Sequence, residues 1–123
     1  MLKGFARVTD VLSKESLIAK LSSGCKAKED WRIGTEHEKF GFKKKDLRPI
    51  TFDDIQKIFS ELCSKYKWEK IIENEKIIGL KKDATSITLE PGGQIELSGA
   101  PVKNLFETCK EVNLHQDELN AVC

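Results

Sequence analysis

One stretch constrains this chain more than any other: Ser86 to Leu97, which reads Ser-Ile-Thr-Leu-Glu-Pro-Gly-Gly-Gln-Ile-Glu-Leu. Apolar and polar residues alternate on both sides of Pro91-Gly92-Gly93, the period-two pattern of half-buried strands. Proline cannot donate to a strand ladder, and glycine accepts positive φ and close backbone approach. The chain must therefore turn at this tripeptide and return as a second strand. A lone hairpin is marginal in water, so other strands and helices must cover its apolar face.

The remaining residues supply them. Lys14–Ser22 reads as a helix with Ser13 as N-cap, Leu17, Ile18 and Leu21 as its buried stripe and Gly24 just past its end. Trp31 to Phe42 reads as a strand, followed by a charged turn to Pro49 that holds Lys43, Lys44 and Lys45. That lysine run is a solvated loop or, as the minority reading, a phosphate-contacting one. A helix over Phe52–Lys65 has Thr51 and Asp54 at capping-box spacing and Ile55, Ile58, Phe59 and Leu62 on one face. Trp68–Ile72 and Lys76–Leu80 read as strands around a turn near Asn74. A last helix begins near Pro101, with Val102, Leu105, Cys109, Val112, Gln116 and Leu119 as its buried stripe. The sequence stops at Cys123 inside that pattern, so more protein is expected to pack on it. Three helices and about five strands with short connections give an α+β fold, a mostly antiparallel sheet with helices packed on one face.

Length and charge bound the function. A chain of 123 residues is one domain at most, or part of one. Its 21 basic and 20 acidic residues leave a net charge of +1, which gives no push toward nucleic acid or an anionic membrane. No apolar run approaches the roughly 18–20 residues of a membrane helix. The opening residues are basic but lack the apolar core of a secretory signal. Cys25, Cys63, Cys109 and Cys123 form no C-x-x-C pair, which argues against a zinc knuckle and for a reducing, cytoplasmic compartment.

Two acidic motifs carry the candidate chemistry. Glu36 and Glu38 flank His37 on the first strand, so their side chains share a face with Phe40 and Phe42. Carboxylates beside phenylalanines are costly unless their charge is offset. A magnesium ion would offset it, since it prefers carboxylate, water and phosphate oxygens. The plainer alternative is a solvent-facing strand with ordinary surface glutamates. The second motif places Glu90, Gln94 and Glu96 around the Pro91-Gly92-Gly93 turn. Either the tripeptide is only a hairpin turn, or four carboxylates from two segments form a two-metal phosphoryl-transfer site. No Walker loop, G-x-G-x-x-G or G-x-S-x-G occurs. His37 should be packed or hydrogen-bonded rather than ligating, and His115 should lie on the surface.

The strings WRIGTEHEKFGF, KIIGLKKDATSITLEPGGQIELSGAP and ETCKEVNLH closely resemble glutamate–cysteine ligases of the plant and alphaproteobacterial type. The likeness runs from about Leu12 to Val122 and covers only the N-terminal part of such enzymes. It implies that residues 1–123 are part of a single catalytic domain with a glutamine-synthetase-like ligase fold. It implies ATP and Mg²⁺ dependence: the glutamate γ-carboxylate is phosphorylated, and the cysteine amine displaces phosphate, the first step of glutathione synthesis. Glu36, Glu38, Glu90 and Glu96 match the family's acidic positions as Mg²⁺ ligands or organisers of the ATP phosphates, and Gln94 would orient substrate or metal-bound water. Cys109 matches a regulatory cysteine whose disulfide partner would lie further along the enzyme. Its alternative role is a small buried hydrophobe. The implied partners are glutamate, cysteine, ATP and the C-terminal part of the same enzyme, with no nucleic acid and no membrane. The isolated chain should be inactive. A related carboxylate–amine ligase, or a non-catalytic binding module, are the competing readings. A plastid replaces the cytoplasm if the source is a plant.

Overall fold

The computed structural model describes residues 12–123, and the basic opening segment, residues 1–9, lies outside them. The chain divides into two compact units, residues 1–31 and 32–123. In the first, helix α1 spans Lys14–Ser22. Ser13 caps it as expected: its hydroxyl accepts from the Ser16 N–H, and the Ser16 side chain returns the bond. Leu17, Ile18 and Leu21 are 50%, 52% and 79% exposed, so they are not the buried stripe expected. The physical reason lies in the unit itself. Beyond α1, its described residues form only a three-residue 3-10 turn at Lys28–Asp30, too little surface to bury three aliphatic side chains.

The second unit holds strands β1 (Glu36–Lys39), β2 (Glu69–Glu73), β3 (Lys76–Lys82), β4 (Thr85–Glu90) and β5 (Gln94–Ser98). Helix α2 (Phe52–Tyr66) precedes β2, and α3 (Leu105–Val122) follows β5. The sheet order is β1-β5-β4-β3-β2, and every pairing is antiparallel. Strands β2 to β5 form a meander whose turns take left-handed residues. Asn74 and Glu75 have φ of 46° and 64°, and Gly92 and Gly93 both have φ of 84°. Positive φ at both central positions matches the twist of a tight hairpin. A Cβ on either glycine would meet nothing within 4 Å. The turn therefore needs their left-handed φ rather than a close approach.

Strand β1 is shorter than the expected 31–42 segment. At Gly41 the chain leaves the ladder and lies against Ile50, whose N–H donates to the Gly41 carbonyl at 3.0 Å. A Cβ at Gly41 would overlap the Ile50 side chain. Only isolated bridges, Ile33 to Val102 and Phe42 to Pro49, continue the pairing beyond the strand ends.

Helix α2 covers one face of the sheet. Thr51 and Asp54 form the expected capping box, and the Lys43 ammonium lies 2.6 Å from the Asp54 carboxylate. That ion pair, with the hydrogen bonds from Thr51, holds the Asp54 carboxyl well below the usual carboxylate range. Lys43 is thus committed to the α2 cap, while Lys44 and Lys45 are exposed. Ile55, Phe59 and Leu62 of α2 pack with Leu80, Ile87, Ile95 and Leu97 of the sheet into the core. Phe59, Leu62, Leu80 and Ile87 retain no exposed surface. Burying each such side chain contributes about 1.5–3 kcal/mol.

Helix α3 departs from the expected pattern. It starts at Leu105, because the Asn104 side chain accepts from the Glu107 N–H at 3.1 Å and caps it there. Its buried residues are Thr108, His115, Glu118 and Leu119. Leu105, Phe106 and Leu114 are 66%, 82% and 57% exposed, and Cys109 and Gln116 are exposed too. Of the expected stripe, Leu119 is buried and Val112 packs against the core. Two tertiary contacts set this rotation. The Trp68 indole donates to Glu118 at 2.7 Å, and the Ala100 N–H donates to Glu111 at 2.8 Å. Both acceptors lie on the polar side of α3, which turns inward.

Candidate functional site

The strand register builds the site. In an antiparallel sheet, directly opposed residues point to the same face. Glu38 of β1 opposes Glu96 of β5, which opposes Thr88 of β4. Glu36 opposes Ser98, which opposes Ser86. Gln94 opposes Glu90 across the glycine turn. Neighbouring strands are about 4.8 Å apart and same-face residues about 7 Å apart along a strand. Glu36, Glu38, Gln94, Glu96 and Glu90 therefore share one sheet face, a patch across β1, β5 and β4, with Glu38 and Glu96 directly opposed and Glu36 and Glu90 at opposite corners, roughly 17 Å apart by these spacings. The alternate positions carry His37, Ile95, Leu97 and Ile87, and the last three of these are core residues. The patch is thus the sheet face turned away from the core.

The patch is polar and acidic. The Gln94 amide donates to Glu38 Oε2 at 3.0 Å, linking the two acidic motifs directly. The Ser98 hydroxyl donates to Glu96 Oε1 at 2.9 Å. Glu96 is only 9% exposed, whereas Glu36 and Glu38 are exposed and Glu90 is half-buried. Among the described residues none of these four glutamates enters an ion pair. Two carboxylates opposed across a strand pair repel each other, and the low exposure of Glu96 limits screening by water. Phe40 and Phe42 do not share this face as expected: β1 ends at Lys39, and both rings border a cleft with Ile50, Ile95 and Leu119 that contains none of the four glutamates.

These donors suit a hard cation in kind: carboxylate oxygens with hydroxyl and amide neighbours. Among the described residues, however, no group of three or more His, Cys, Asp or Glu side chains is arranged to hold a metal ion. The opposed pair Glu38 and Glu96 offers two ligands. That is the number Mg²⁺ commonly takes from protein when water and substrate phosphate fill its other positions.

The other singled-out residues lie elsewhere. His37 points away from the patch, as expected, and its Nδ1 lies 2.9 Å from the Lys39 ammonium. Burial lowers the Lys39 pKa. His115 is not on the surface: it is 2% exposed, and neither ring nitrogen has a hydrogen-bond partner among the described residues. Burial, then the charges of Lys39 and His37, push its pKa down to about 4. Cys109 is exposed rather than a buried hydrophobe, and all four cysteines are free thiols. A cleft of ≈ 490 Å³ bordered by Phe42, Lys57, Gln116 and Val122 contains none of the four glutamates.

Thr88 and Ser86 were not singled out from the sequence, although they alternate with period two from Glu90. That alternation was the available signal. The inward polar row Glu111, His115 and Glu118 was also missed, and its i, i+4, i+7 spacing could have revealed it.

Comparison with known proteins agrees with the motifs. Residues 32–123 match the family described as glutamate-cysteine ligase family 2. The chain is 55% identical over 114 residues to the chloroplastic glutamate–cysteine ligase of Brassica juncea, covering 93% of this chain and 22% of that protein. It is 55% identical over 116 residues to the chloroplastic glutamate–cysteine ligase A of Oryza sativa subsp. japonica, covering 94% and 24%. With the chloroplastic enzyme of Arabidopsis thaliana the identity is 54% over 114 residues, 93% and 22%. The chain thus spans less than a quarter of the length of these relatives. Their names place them in chloroplasts and give no support to the cytoplasmic expectation.

Proposed function

The chain belongs to glutamate-cysteine ligase family 2, and on that premise we propose that it forms one wall of a ligase active site. The reaction joins the γ-carboxylate of glutamate to the amine of cysteine at the expense of ATP. The carboxylate attacks the γ-phosphorus of ATP, giving an acyl phosphate and ADP. The amine nitrogen then attacks the acyl carbon, the carbon–oxygen bond to phosphate breaks, and the amine loses a proton. The product is γ-glutamylcysteine, the first intermediate of glutathione synthesis. We place the sheet within a glutamine-synthetase-like ligase fold, of which residues 1–123 are the N-terminal part. The names of the relatives favour a plastid for the whole enzyme.

The opposition of Glu38 and Glu96 across β1 and β5 carries this reading. When bound, Mg²⁺ would supply positive charge that offsets the developing charge on the phosphate oxygens. Glu36, Glu38, Glu90 and Glu96 would supply its ligands or order the ATP phosphates. The Gln94 amide, held on Glu38, fixes that carboxylate's rotamer and is placed to orient substrate or a metal-bound water. Rigid strands hold the ligands better than loops do.

Manganese as a paramagnetic substitute for magnesium tests the site on this chain. In an amide NMR spectrum, Mn²⁺ should broaden Glu36–Glu38 and Gln94–Ser98 first, and excess Mg²⁺ should reverse the effect. Broadening elsewhere, or none, would overturn the assignment. The chain alone holds one wall and should show no turnover in a coupled ADP-release assay.

A further inference from the structure

Strand β5 carries two neutral donors, one on each side of Glu96. Gln94 and Ser98 lie two residues before and after it, so all three share the polar face. The Gln94 amide reaches across to Glu38 Oε2, whereas the Ser98 hydroxyl donates along its own strand to Glu96 Oε1 at 2.9 Å. Each glutamate of the opposed pair thus has one oxygen tied by a residue of β5. Glu96 Oε2 accepts no hydrogen bond among the described residues and is not one of the buried orphans, so it stays open to solvent. Thr88 opposes Glu96 from the other side but is not its donor. Ser98 alone holds this carboxylate.

The choice of donor matters. A lysine or arginine beside Glu96 would cancel the charge that a cation needs. A hydroxyl has one proton to give and no charge, so it orients the carboxylate and leaves its charge intact. Orientation has value because a glutamate loses rotamer freedom when it binds, and a side chain already held in place loses less. With only two opposed carboxylates at the centre of the patch, such a site depends on each of them being well placed. We propose that Ser98 is a positioning residue for the divalent cation of this patch: by tying Oε1 it makes Oε2 the oxygen that Glu96 offers to an ion shared with Glu38. The proposal rests on the reading of the patch as a Mg²⁺ site and adds to it a residue that acts through Glu96 without touching the metal.

The test titrates Mn²⁺ alone into the 123-residue chain and reads the concentration that half-broadens the amides of Gln94–Leu97. Ser98→Ala should raise that concentration about ten-fold. Ser98→Thr, which keeps the hydroxyl, should stay within about two-fold of wild type. Ser98→Val has the shape of threonine without its hydroxyl and suits a strand, so it decides the matter should Ser98→Ala unfold, and it should match the alanine variant. Thr88→Ala, which removes the neighbouring hydroxyl that does not hold Glu96, should stay within about two-fold of wild type. In a Glu96→Ala background, Ser98→Val should weaken Mn²⁺ no further, because no carboxylate is left to orient. Wild-type affinity in Ser98→Val, failure of threonine to restore it, or an equal loss with and without Glu96 would overturn the positioning role while the cation site stood. Absence of broadening in the wild-type chain would overturn the cation site and this role together.

Discussion

Helices α2 and α3 rest on the same sheet and obey opposite rules. Helix α2 buries Ile55, Phe59 and Leu62 and leaves its charges outside. Helix α3 buries Thr108, His115 and Glu118 and leaves Leu105, Phe106 and Leu114 outside. The first arrangement stabilises through apolar area. The second holds Glu118 and Glu111 by hydrogen bonds from Trp68 and Ala100, while the Thr108 hydroxyl and the His115 ring are buried without a partner among the described residues, which costs stability. The buried face of α2 should be indifferent to protonation near neutral pH, whereas structure near α3 should depend on the protonation of His115.

Truncation at matched phenylalanines gives the largest contrast. Phe59 in α2 has no exposed surface and Phe106 in α3 is 82% exposed. We expect Phe59→Ala to cost about 3–5 kcal/mol in urea unfolding, and Phe106→Ala to stay within about 0.5 kcal/mol. A large loss from Phe106→Ala would mean that α3 turns its apolar side inward in solution and would remove the contrast.

Acid should separate the two helices next. The His115 pKa is lowered to about 4 by burial, then by Lys39 and His37. An unfolded histidine has a pKa near 6.5. Between these values the unfolded chain binds a proton that the folded chain refuses. Stability is therefore complete above about pH 6.5 and is lost as pH falls toward 4. One pKa unit corresponds to about 1.4 kcal/mol, so the loss amounts to roughly 3 kcal/mol. The charges of Lys39 and His37 on β1 reinforce the effect of burial. Denaturation of wild type and His115→Phe at several pH values checks this: the wild-type slope over that window should flatten in the variant. An unchanged slope would assign the acid sensitivity to other groups.

The same contrast explains what could be read in the sequence. Local chemistry decided α2: Thr51 and Asp54 cap it, and its apolar residues recur at helical spacing, so its start and buried face follow from order alone. The glycine turn and the period-two faces of β4 and β5 were legible for the same reason, and they located the acidic patch. Pairing of β1 with β5 was not written locally, since nearly sixty residues separate Glu38 from Glu96 and either strand could have been an edge. The face of α3 was not legible because its rotation is set by the distant partners Trp68 and Ala100 rather than by its own periodicity. The exposure of α1 has a similar origin, for apolar spacing marks a buried stripe only where a neighbouring surface exists to bury it.

The smallest expected effect on stability tests the sheet face against the helix face. Glu38 is exposed, opposes Glu96 and accepts the Gln94 amide. Glu38→Gln removes one charge from a like-charged pair and exchanges one acceptor oxygen for an amide nitrogen. Relief of repulsion and loss of a charge-assisted hydrogen bond oppose each other, each about 0.2–1 kcal/mol, so stability should change by less than about 0.5 kcal/mol. Cation binding has no such compensation, because the amide that replaces the carboxylate brings no negative charge and one fewer ligand oxygen. Mn²⁺ broadening at Gln94–Ser98 should then need roughly ten-fold more metal. A variant that loses stability while keeping its metal affinity would identify Glu38 as a structural strand residue and move the binding role to Glu36 or Glu90.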